Sequence, residues 1–174
     1  MLSNFFFQIA NLKNLSRTGW KVKLQISNSE SVADHSYMMA VMAMVISDIK
    51  NMNTEKTIKM SILHDWAESK IGDFMPDEIT SDKKNMLEEN AMAEILTMLP
   101  HKVQEEYSIL WMEYKDNKSK ESKFVHQLDR LEMALQAKIY EKDVDPGKIK
   151  PFMMSVVDKI HDDDLKKIFS EITQ

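Results

Sequence analysis

Long stretches of apolar residues at helical spacing alternate with short polar breaks along this chain, a pattern that predicts an all-α fold. Helices are expected near 2–14, 31–50, 55–66, 82–99, 101–116, 119–141, 148–160 and 163–172. Phe124, Leu128, Leu131 and Leu135 follow one another at spacings of 4, 3 and 4, which gives one core-facing stripe. Tyr37 to Ile46 is apolar nearly all round, so its helix is expected to be central and buried. Ser31, with Asp34 three residues on, resembles a capping box in which Asp replaces Glu and sets the start of that helix. The stretch Gly72–Asp82, holding Pro76, reads as a connecting loop, and Asp145-Pro146-Gly147 as a turn before another helix.

Composition sharpens this picture. Only three glycines and four prolines interrupt 174 residues, too few turn signals for a sandwich or barrel. The length fits one domain, read as residues 1–174. A net charge of −5 argues against a partner that is a nucleic-acid polymer, but leaves room for a small phosphorylated ligand held by a few local cations. Cysteine is absent, which removes thiolate nucleophiles and zinc–thiolate sites and makes the cytoplasm the expected compartment. No apolar run reaches the roughly 18 residues of a membrane span. The fifteen methionines are read as flexible core filling.

The chemistry concentrates around two histidines. His35 opens the second helix beside Asp34, which is assigned to the helix start. His64 and Asp65 are adjacent, Glu68 follows His64 by four residues, and Asp73 lies five beyond Glu68. Asp129 sits beside the apolar stripe, where an unpartnered carboxylate is costly. Neighbouring residues on a helix point about 100° apart, so His64 and Asp65 share a site only at a helix end or bend. Imidazole and carboxylate together suit Mn, Fe, Co, Ni or Zn. The same residues also read as a buried polar network with backbone partners, and spacing alone leaves both readings open. His101 and His161 read as surface residues.

Four segments occur in order: Arg17-Thr18-Gly19-Trp20, Glu30 to Ser36, His64-Asp65-Trp66-Ala67-Glu68 through Gly72-Asp73, and Phe124 to Asp129 followed by Glu132-Met133. This set resembles the H…HD…D signature of the HD-domain metal-dependent phosphohydrolases, in particular the 5′-deoxynucleotidases, over about residues 10–140. The resemblance implies a multi-helix HD-domain bundle completed by the C-terminal helices. It implies that His35, His64, Asp65 and Asp129 bind one divalent metal ion (Mn, Co, Ni, Zn, Fe or Mg). It further implies Glu68 as the catalytic carboxylate and Asp73 as its assistant in positioning water, protonating the leaving group or holding a sugar hydroxyl. Arg17 would hold phosphate, and Trp20 would pack against the sugar and help exclude a ribose 2′-hydroxyl. Glu30 is either an assistant to the site or loop surface.

The implied activity is hydrolysis of deoxyribonucleoside 5′-monophosphates to deoxynucleoside and phosphate. The alternatives are an HD-domain phosphohydrolase of another nucleotide and a non-catalytic HD protein that binds metal or nucleotide. The family often carries lysine three residues before its last metal aspartate, where this chain has His126; a histidine offers that charge only when protonated, so activity is expected to lean toward lower pH. Relatives pair, and Phe5-Phe6-Phe7 would cover either a second copy, giving a homodimer, or the chain's own core.

Overall fold

The computed structural model describes residues 1–75 and 77–174; Pro76, placed in a loop by the sequence, lies outside the described residues. Among them run ten α-helices: α1 (Leu2–Ala10), α2 (Thr18–Lys23), α3 (Val32–Ile49), α4 (Thr54–Leu63), α5 (Glu68–Ile71), α6 (Ser81–Leu96), α7 (His101–Asp116), α8 (Lys120–Tyr140), α9 (Pro146–Val157) and α10 (Asp163–Thr173). Short 3₁₀ turns extend α1 at Asn11–Lys13 and α8 at Glu141–Asp143. The described residues form no strand, only an isolated bridge between Ser16 and Ser31. No helix among them is long and apolar enough to cross a membrane.

Local signals start most of the long helices. The Ser31 hydroxyl accepts from Asp34 N at 3.1 Å, and Asp34 Oδ2 accepts from Ser31 N at 2.9 Å, so the expected capping box is formed. The side chains of Asn53, Thr80, Ser119 and Asp162 each accept from backbone N–H groups in the first turn of α4, α6, α8 and α10. At the centre, α3, α4 and α8 pack together around Met39, Met60, Leu63, Leu128 and Leu131, all essentially buried. Met39, Met60 and Met92 fill the core as expected, whereas Met44, Met86, Met112 and Met154 are exposed. The stripe on α8 buries Phe124, Leu128 and Leu131. A second apolar cluster joins Trp20 and Leu24 to Ala137, Val144 and Ile149.

Three departures bear on the site. First, α3 is buried on one side only: Tyr37, Val45 and Ile49 face solvent at 71%, 48% and 72% exposure. Its partners α4 and α8 leave the other side open. Second, the helix expected over 55–66 stops at Leu63. Residues 64–67 close in tight turns, with Trp66 N donating to Leu63 O and Glu68 N to Asp65 O, before α5 begins. Third, α2 forms where the sequence pattern predicts no helix. Its cap comes from far along the chain: Asp73 Oδ2 accepts from Thr18 N at 2.5 Å, and Thr18 Oγ1 donates to Asp73 O at 2.7 Å.

Candidate active site

Three segments meet at the floor of a cleft of about 820 Å³: the first turn of α3, the turns after α4, and the middle of α8. Because the helix ends at Leu63, consecutive residues His64 and Asp65 point the same way, with His64 Nε2 2.9 Å from Asp65 Oδ2. The buried His35 brings its Nε2 to 3.4 Å from Asp129 Oδ1 and 4.0 Å from Asp65 Oδ2.

Hydrogen bonding at the far side of each ring fixes what the near side offers. His64 Nδ1 lies 2.8 Å from the carbonyl of Ser61, which only accepts, so Nδ1 carries the proton and Nε2 presents a lone pair. His35 Nδ1 lies 2.5 Å from the buried Glu132 carboxylate, and His35 Nε2 is a buried atom without a hydrogen-bond partner. The Nε2 atoms of two imidazoles thus converge with the oxygens of two carboxylates. As neutral rings, two imidazoles with two carboxylates balance the charge of a divalent cation, and the donor set fits one. Burial and the Arg17 charge oppose protonation of His35, yet Asp129 and Glu132 outweigh them and push its pKa up to about 10, so without a cation His35 holds a second proton that a bound metal ion would displace. Asp65 and Asp129 stay below the ordinary carboxylate range despite burial, Asp65 through His64 and Arg17, Asp129 through His35 and Arg130.

A second group, Glu30, His35 and Glu132, also brings ligand-type atoms together. Its members are already engaged with one another and with Trp20, whose Nε1 donates to Glu30 Oε1 at 2.8 Å. Burial and the neighbouring Glu132 push Glu30 up to about 7. This cluster is a backing layer: it orients His35 from behind and Trp20 from the side.

The remaining residues singled out in the sequence line the same cleft. Glu68 is buried at 5% exposure, and its Oε2 has no hydrogen-bond partner. Burial, then Asp65 and Asp73, raise its pKa well above the ordinary value. Arg17 Nη1 lies 3.5 Å from Asp65 Oδ2, and its backbone is held by Arg17 N donating to Glu30 O at 3.0 Å. Burial works against its charge, but Asp65, Asp129, Asp73 and Glu68 together hold it firmly protonated. Asp73 reaches the cleft while one of its oxygens caps α2. Trp20 is 3% exposed and shows the cleft only an edge, since it also closes the second apolar cluster. His126 stacks on Tyr114 with ring centroids 4.1 Å apart, and its Nε2 donates to the Tyr114 carbonyl at 3.0 Å. Burial lowers its pKa, so at neutral pH it brings an aromatic face to the cleft in place of a cation. His101 and His161 are exposed, as expected.

Sequence reasoning assigned no role to Glu132 or Tyr114. Glu132 carries a usable signal: it lies three residues after Asp129 and directly after Leu131, so a second carboxylate falls beside the buried stripe and needs a partner. Tyr114, whose ring meets His64 edge-on at 5.6 Å, carries none, because α7 and the His64 turn meet only in the folded chain.

A protein-family model for the HD domain matches residues 9–173. The 5′-deoxynucleotidase HDDC2 of Homo sapiens is 40% identical over 173 residues, covering 98% of this chain and 84% of its own length. The 5′-deoxynucleotidase HDDC2 of Dictyostelium discoideum is 41% identical over 175 residues, covering 92% of each chain. Among solved structures, the PH0347 protein from Pyrococcus horikoshii OT3 is 30% identical with a TM-score of 0.78, covering 98% of this chain and 95% of its own.

Proposed function

This chain belongs to the HD domain family, and from that membership we propose that it is a metal-dependent phosphomonoesterase that converts deoxyribonucleoside 5′-monophosphates to deoxynucleosides and phosphate. The observation that carries this reading is the convergence of two imidazole Nε2 atoms with two carboxylates at the floor of a cleft that also holds Arg17 and Glu68. The named relatives supply the substrate class.

In this reading His35, His64, Asp65 and Asp129 hold one divalent ion. When bound, that ion withdraws charge from the phosphoryl group and makes water more acidic. Arg17 binds the phosphate dianion through its planar guanidinium, for which bidentate contact is the natural geometry. Its charge is secure, so it serves across the working pH range. Glu68 has a free oxygen in the cleft and accepts the proton of the attacking water. As the ester bond to phosphorus breaks, the 5′-oxygen of the leaving deoxynucleoside takes up a proton, and Asp73 stands in the same cleft to order the water that delivers it. Trp20, held by Glu30, supplies a rigid edge against the sugar.

The test is phosphate release from ribo- and deoxyribonucleoside 5′-monophosphates, 3′-monophosphates and triphosphates. Metal-stripped protein receives Mn, Co, Mg, Ni, Fe or Zn, with Asp65→Ala as control. Metal-dependent release confined to 5′-deoxymonophosphates is expected. Release from triphosphates or ribonucleotides overturns the substrate assignment, and tight metal binding without any release favours a binding protein. The absence of cysteine agrees with a cytoplasmic setting. A homodimer is the expected assembly: Phe5 packs on Trp66 within the chain, while Phe6 and Phe7 stand 60% and 76% exposed on α1. Light scattering at micromolar concentration measures it.

A further inference from the structure

Along the cleft the chemistry changes sharply, and α8 serves as the ruler. Asp129 belongs to the charged floor. Met133, four residues on, lies on the same face about 6 Å further along the helix axis. Ala137, another turn on, belongs to the second apolar cluster with Trp20. That step is about the width of one sugar ring. Met133 and Phe152 line the same cleft as Arg17 and Asp129. Phe152 comes from α9, beyond the segments that carry the family signature. Its ring lies 5.0 Å from that of Trp20 at 54° and touches both apolar clusters, yet it stays only half-buried. Trp20 is almost wholly covered, so Phe152 holds the open aromatic surface of this end. The Ser155 hydroxyl, which also lines the cleft, donates to the Phe152 carbonyl at 2.7 Å and is engaged there.

We propose that Phe152, with Met133 and the edge of Trp20, forms an apolar shelf on which the base of a nucleotide substrate stacks while its phosphate lies at the charged floor. The inference rests on the phosphomonoesterase reading for its substrate class and adds the residue that recognises the base. An aromatic face accepts every base, because each has a flat π surface. The shelf therefore raises affinity for nucleotides over simple sugar phosphates and discriminates little among bases.

Calorimetric titration of the manganese-loaded protein with deoxyadenosine, thymidine and inorganic phosphate tests this. In Phe152→Ala, affinity for both deoxynucleosides should fall about tenfold, the scale of one base–aromatic stack, with phosphate affinity unchanged. Phe152→Tyr should restore deoxynucleoside binding. Unchanged deoxynucleoside affinity in Phe152→Ala, or an equal loss for phosphate, overturns the shelf. Phosphate release by the wild-type protein separates the two layers of argument. Deoxynucleoside binding through Phe152 without any release removes the hydrolase reading and keeps the shelf. Release from deoxynucleotides without deoxynucleoside binding removes the shelf and keeps the hydrolase.

Discussion

Individual side chains here divide between those that face the cleft and those that aim them. Asp65 sits against His64, His35 and Arg17, so Asp65→Ala should abolish both metal binding and turnover. The Glu68 side chain makes no hydrogen bond to any of the four proposed ligands; Glu68→Ala should keep the metal and lose most turnover, and normal turnover in that variant would remove its catalytic assignment. Glu132 acts through His35. Glu132→Ala leaves His35 Nδ1 without its 2.5 Å partner, and metal affinity should fall about 10–100-fold, as is typical when the group behind a histidine ligand is lost. Glu132→Gln keeps an acceptor and should lose less. Competitive metal titration checks both, and equal affinities would show that Ser61, His64 and the carboxylates suffice.

At the scale of elements, short helices and turns place the site, and contacts distant in sequence hold them. Asp73 joins two of its segments by capping α2 from 55 residues away. Asp73→Ala should fray α2, at a cost of about 1 kcal/mol for a lost cap. Faster tryptic cleavage after the exposed Lys21 and Lys23 would report that fraying directly, whatever Asp73 does in turnover. Gly72 ends α5 with φ of 86°, a conformation that residues with a Cβ avoid. No neighbouring atom would meet an added Cβ, so Gly72→Ala tests the backbone alone. It should destabilise by about 1–3 kcal/mol in urea unfolding, and Gly72→Asn by as much, because ψ of 168° takes this residue outside the left-handed helical region that Asn tolerates.

For the whole molecule, the proposed cation would couple stability to ligand binding. Its four proposed ligands come from three segments, α3, the turns after α4, and α8, so an ion held there resists their separation. Metal at a hundredfold excess over its Kd should stabilise the fold by about 2.7 kcal/mol. Thermal unfolding with and without a chelator measures this, and Asp65→Ala should show no such shift. The core itself carries the larger share of stability: Leu128→Ala, at a wholly buried position, should cost roughly 2–5 kcal/mol.

The all-α class, the bounds of the long helices and the Ser31–Asp34 cap were legible in the sequence because they rest on local spacing and hydrogen bonds within one turn. The ordered set from Arg17 to Asp129 also marked the cleft's charged residues, since the chain carries them as a recognisable series. What local spacing does not encode is contact between distant segments. α2 depends on Asp73, the exposed side of α3 depends on which helices pack against the other side, and the orientation of His35 depends on Glu132. The end of α4 at Leu63 belongs to the same class: apolar periodicity runs on through Trp66, and only the folded chain, with α1 and α7 packed around Trp66, turns His64 and Asp65 into one site. Local periodicity therefore determined the helices, and tertiary packing decided which of their polar side chains meet.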